Sequence, residues 1–149
     1  MDTDNISKKI SEIKHLFMVY RNGIVADALR KAGMPYDYIF GLQLPQIAQI
    51  AKENTPSPEL ANALWNDHKV RESRLLACYL FPKEMTVENV IRIIESLQTR
   101  EEAEILSFKF LRFHEKANQI LKILKEKKES ANSNLIEYCA DIFEKNLSC

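Results

Sequence analysis

Glycine is scarce in this chain: Gly23, Gly33 and Gly41 are the only three in 149 residues. No Val-, Ile- and Thr-rich run alternates apolar with polar positions, so β-strands have little to build on. Cysteine is equally sparse. Cys78, Cys139 and Cys149 lie far apart, with no Cys-x-x-Cys and no Cys/His spacing of the metal-binding kind, so neither a metal nor a cofactor is expected. An excess of one charge is also missing. With 21 basic and 21 acidic residues, global charge advertises no polyanionic partner, and any such signal must be local. The N-terminal "MDTDNISKKISEIKH" lacks the apolar core of a signal peptide. No apolar run approaches the roughly 18 residues of a membrane span, so a membrane partner is not expected and a reducing cytoplasmic location is.

What is present is apolar residues at helical spacing. A chain of 149 residues is expected to form one domain, 1–149, burying roughly two-thirds of its unfolded surface around one core. Ile6, Ile10, Ile13, Phe17 and Tyr20 share one face, followed by Ile24, Val25, Ala28 and Leu29, with a break near Asn22-Gly23 and Gly33 as a stop. "MPYDYIFGLQLP", Met34 to Pro45, has the prolines and aromatics of a packed connection. Ser57 caps a helix that opens at Pro58, Pro82 ends one beginning near Val70, and Thr86 caps "VENVIRIIESL". In "TREE", Thr99 and Glu102 have capping-box spacing for a helix running from Arg100 to Phe113. "ANQILKILKEKK" and "LIEYCADIFEKNL" then supply two further amphipathic segments.

These segments read as helical hairpins. The turns near Trp65 and Gln98 are 33 residues apart, close to the period of a helical-hairpin repeat. The expected fold is therefore all-α, an α-α superhelix of about seven to eight helices. Residues 1–42 form its N-terminal helices and connection, 43–128 its helical repeats, and 129–149 a C-terminal capping helix. If Leu135, Ile136, Cys139, Ile142 and Phe143 are covered by the last pair, a monomer is expected; if exposed, a weak homodimer.

Two charge features stand out within this pattern. Arg71 and Arg74 open an otherwise oily helix. Asp67 or Glu72 could pair with either, and a cation at a hairpin can satisfy free backbone carbonyls; alternatively these arginines contact phosphate from a helix start. The segment "KFLRFHEKANQILKILKEKK", Lys109 to Lys128, has seven Lys or Arg against two Glu, so it could form a phosphate-binding edge. Its neighbours Phe108, Phe110 and Phe113 read most simply as core, and the lysines as a solvated face. Trp65 falls on the apolar stripe with Leu60 and Leu64 and reads as a core anchor. His15, His68 and His114 have no partner at metal or catalytic spacing and read as surface or cap residues.

The stretch "FGLQLPQIAQIAKENTPSPELANALWNDHKVRESRLLACYLF" resembles the DNA alkylation repair family of HEAT-like repeat proteins, the AlkD-type glycosylases. Its aromatic-Gly-x-x-x-Pro, Glu-Leu-Ala, Leu-Trp and Arg-Glu elements carry the likeness, which extends over about Phe17 to Phe113. The resemblance implies a curved stack of helix pairs that binds duplex DNA, with excision of cationic alkylated purines in active members. It also implies a site segment of the form Trp-Asp-x-x-Asp, whose second acid stabilises an oxocarbenium-like transition state. Here "TREEAEIL" holds Arg100 at the tryptophan position, Glu101 at the first acid and Glu104 at the catalytic acid. A guanidinium repels a cationic base instead of stacking on it, which weighs against excision. DNA binding is then expected through Lys69, Arg71, Arg74, Arg100, Lys109 and Arg112, with backbone phosphates as the contacts. The alternative reading is a non-catalytic scaffold that takes a protein partner on its concave surface.

Overall fold

A computed structural model describes residues 3–127 and 133–147. The fold is all-α. Among the described residues there are nine α-helices and one 3-10 turn, with a single isolated bridge between Tyr38 and Val70 in place of any strand. The helix number exceeds the expected seven to eight because the break at Asn22-Gly23 is complete. The chain divides into two compact units, Met1–Phe81 and Pro82–Cys149. The boundary falls where Pro82 forces Phe81 into an extended conformation, φ −62° and ψ 129°, directly after a helix.

In the first unit, α1 (Thr3–Tyr20) places Ile13 and Phe17 four residues apart on one buried face. Asn22 caps α2 (Gly23–Lys31), its Oδ1 accepting from the Ile24 and Val25 N–H groups. That helix closes in a Schellman arrangement: Gly33 N–H donates to Arg30 O and Met34 N–H to Leu29 O, with Gly33 at φ +92°. The connection to α3 (Leu44–Lys52) is packed, burying Tyr36, Ile39 and Leu42. It passes so close to α2 that a Cβ on Gly41 would lie 2.2 Å from Asn22 O, at a backbone φ of +85°. Ser57 caps α4 (Pro58–Asn66) through the Leu60 N–H, and α4 packs extensively against α5 (Arg71–Leu80) as a helical hairpin. Leu60, Ala61, Leu64 and Trp65 face Leu75, Leu76 and Leu80 in this core.

In the second unit, Thr86 caps α6 (Val87–Glu95) and Thr99 caps α7 (Arg100–Lys109). Glu102 N–H donates to Thr99 Oγ1 as the spacing predicts, while Glu102 Oε1 accepts at 2.8 Å from the N–H of Gln98, one residue ahead of the cap. α7 stops four residues earlier than Phe113. Phe110 leaves the helical region at φ −128° and ψ −61°, and Leu111–Phe113 form a 3-10 turn. Phe110 and Leu111 are both buried at this change of pitch. α8 (Ala117–Glu126) and α9 (Ser133–Leu147) complete the unit. α9 packs on α7 and α8, while α6 packs on α8 and α9, so the extensive contact expected between α6 and α7 goes to later helices instead. Ile136, Cys139 and Phe143 are fully covered in this packing. Burial pushes the Cys139 thiol up to about 12. Cys149, and Lys128 at the end of the basic run, lie outside the described residues.

Candidate nucleic-acid interface

The six cations expected to touch phosphate have different surroundings. Arg71 and Arg74 are 4% and 3% exposed and serve the fold from inside the first unit. Arg71 Nη1 donates to Glu72 Oε2 at 2.7 Å and to Leu42 O at 3.0 Å. The Glu72 carboxylate, wholly buried, also accepts from the Phe40 and Gly41 N–H groups, each at 3.0 Å. Arg74 donates to Trp65 O at 2.8 Å and lays its guanidinium 3.5 Å from the Trp65 ring centroid. Of the two acids open as partners in the sequence, Glu72 is taken by Arg71. Asp67 turns instead to Ser73 Oγ at 2.8 Å and Lys14 Nζ at 3.1 Å. These buried arginines satisfy backbone carbonyls and a carboxylate, and they present no charge to a surface ligand. Lys69 is exposed on the same unit, next to the backbone bridge that its own carbonyl makes with Tyr38 N–H.

Arg100 and Glu104 lie four residues apart on α7, both exposed, and meet Tyr138 of α9. The Tyr138 hydroxyl donates to Glu104 Oε1, and the Arg100 guanidinium sits 4.8 Å from the Tyr138 ring centroid. The hydrogen bond to Glu104 pushes the Tyr138 phenol upward, since it stabilises the protonated form beside a carboxylate, with desolvation adding to the effect. An aromatic ring does stand beside the acid of "TREEAEIL", but it comes from α9 and is already engaged by both residues. Among the described residues, no group of three or more His, Cys, Asp or Glu side chains could hold a metal ion.

A different cluster forms where α7 ends. Arg112 Nε donates to Phe108 O at 2.7 Å, one of the carbonyls that the helix terminus leaves over. This hydrogen bond fixes the guanidinium 4.0 Å from the Phe108 ring centroid and 4.4 Å from that of Phe113. Lys109 Nζ lies 5.2 Å from the Phe108 centroid, and Lys83 Nζ lies 5.4 Å from that of Phe113. Both rings are open to solvent. Among the described residues, neither Nη group of Arg112 nor the Lys83 ammonium has an acceptor. Three cations thus converge on two exposed rings, two of them from the expected set.

No family model matches the chain, and no curated protein or solved structure does either. The functional reading therefore depends on side-chain geometry.

Phe108 and Phe113 correct the reading of these aromatics as core, which holds for Phe110 alone. The signal was in the spacing: on a helix, Phe110 lies about 160° around from Phe108, so the two cannot share a buried face. Lys83 was not singled out because the nearness of residues 83 and 113 is a tertiary contact. His114 is likewise no surface residue. It is 7% exposed, with Nε2–H donating to Met85 O at 2.6 Å and Nδ1 accepting from Lys116 N–H at 3.0 Å, an assignment that fixes its neutral tautomer.

Proposed function

We propose that this chain is a DNA alkylation repair-like helical-repeat protein that binds DNA through backbone phosphates, gripped by Arg112, Lys109 and Lys83. The observation that carries the reading is the convergence of these three cations on one exposed face, with the Arg112 fork oriented by its own hydrogen bond. The Arg112 fork and the Lys83 ammonium have the charge and N–H donors that phosphate oxygens require, and Lys109 adds a third positive charge beside them. The α4/α5 hairpin supports the repeat architecture. Base excision is not part of the proposal. Glu104 is exposed and hydrogen-bonded to Tyr138, and a carboxylate in water stabilises a developing cation far less than one in a dry pocket. Titrating a labelled duplex at low and moderate salt tests the reading: affinity falls steeply as salt rises, whereas a salt-independent affinity would refute phosphate contact.

One observation favours a second role, that of a protein-interaction scaffold. Met18, Val19 and Ile24 in the first unit are 47%, 60% and 84% exposed, an apolar group around the α1–α2 break. Its simplest form is weak self-association through these side chains. Sedimentation at rising concentration should then show dimer that Ile24→Lys abolishes; a strictly monomeric wild-type chain excludes that form.

A further inference from the structure

Phosphate contacts explain the cations at the end of α7 but leave the two rings beside them without a role. Phe108 and Phe113 are 44% and 46% exposed, while Phe110 and Leu111 between them fill the core positions. Packing therefore does not require aromatic residues at 108 and 113. The Arg112 guanidinium lies over both rings and holds them in place, with Lys109 Nζ over the Phe108 ring and Lys83 Nζ over that of Phe113. Beyond Lys83 the charge becomes mixed: a cleft of about 410 Å³ is lined by Lys83 and Lys116 together with Glu84, Glu88 and Glu115. The footprint is short and combines π-faces with positive charge.

We propose that Phe108 and Phe113 are stacking platforms for unpaired bases, so that the preferred ligand is single-stranded DNA instead of an intact duplex. The proposal rests on the phosphate-binding reading and specifies the ligand of that same surface. A base within a duplex is stacked on both sides and offers a surface ring nothing but its edge. An unpaired base offers a whole face, and its flanking phosphates fall within reach of the surrounding cations. Every base has such a face, so binding is tolerant of sequence. Two rings accommodate about two nucleotides.

The test uses fluorescence anisotropy of the full chain at low salt with three probes of equal length: oligothymidylate, an abasic strand with the same phosphates, and a duplex. Oligothymidylate should bind about ten-fold or more tightly than the abasic strand. The Phe108→Leu/Phe113→Leu variant should lose that advantage, whereas Phe108→Tyr/Phe113→Tyr should keep it, with circular dichroism showing that both remain folded. Equal binding of the oligothymidylate and abasic strands, unchanged in the Leu variant, overturns stacking and leaves phosphate binding standing. Tighter binding of the duplex than of oligothymidylate overturns the strand preference. Failure of all three probes to bind overturns this inference together with the reading beneath it.

Discussion

Glu72 shows how one side chain can serve several parts of the fold. Its buried carboxylate closes the two N–H groups of Phe40 and Gly41, anchors Arg71, and thereby ties the 34–43 connection to the start of α5. Gly41 makes the approach possible, because any side chain there would collide with Asn22 O. Replacing Glu72 with Ala removes the acceptor of two backbone donors and the buried carboxylate to which Arg71 donates at 2.7 Å. Breaking a buried pair from one side costs about 3–5 kcal/mol, against about 1 kcal/mol or less for an exposed pair. Urea denaturation of Glu72→Ala should show a midpoint shift of that larger size. The half-buried Lys14–Asp67 pair, far more open than Arg71–Glu72, is the control: Lys14→Ala should shift the midpoint less. The sequence placed Arg71, Glu72 and Arg74 at a helix start but left open whether the arginines faced phosphate or met acids and backbone carbonyls within the fold. Burial decides for the second, and burial is a property of the 34–43 connection folding over them, which no local pattern encodes.

At the scale of elements, the readable features were those whose chemistry is local. Ser57, Thr86 and Thr99 each cap the helix that follows, as short polar side chains before an apolar-periodic run should, and Asn22, read from sequence only as a break, caps α2 in the same way. Gly33 and Pro82 mark stops for equally local reasons, a positive φ and a restricted preceding residue. The end of α7 was not readable in the same way. "SFKFLRFH" continues a helical pattern, and nothing local in it marks the departure at Phe110 into the 3-10 turn, where Phe110 and Leu111 are both buried. That turn also creates the candidate interface, since it brings Arg112 back over the Phe108 carbonyl and turns Phe108 and Phe113 outward. Helix partners were similarly hidden. Short connections favour neighbours in sequence, yet α9 takes the main contacts of α7 because Ile136, Cys139, Ala140 and Phe143 give it an apolar stripe broad enough to do so.

For the whole molecule, charge neutrality makes the proposed binding unusually easy to localise. The 21 basic and 21 acidic residues cancel, so no long-range field draws DNA to the chain as a whole, and affinity must come from the arrangement of a few cations. On the duplex probe, three phosphate contacts release roughly three counterions, giving a slope of about −2.7 in log affinity against log salt and a loss of about forty-fold between 50 and 200 mM. Arg112→Glu and Lys8→Glu change net charge by the same amount, but Lys8 is exposed on α1 in the first unit. If local arrangement governs binding, Arg112→Glu should weaken it and reduce the slope to about −1.8, while Lys8→Glu should leave both nearly unchanged. Equal losses in the two variants would instead identify overall charge as the determinant. Neutrality also bears on how Arg112 was legible: composition hid it, the basic run from Lys109 pointed to it, and its position between two exposed rings separates it from a solvated lysine face.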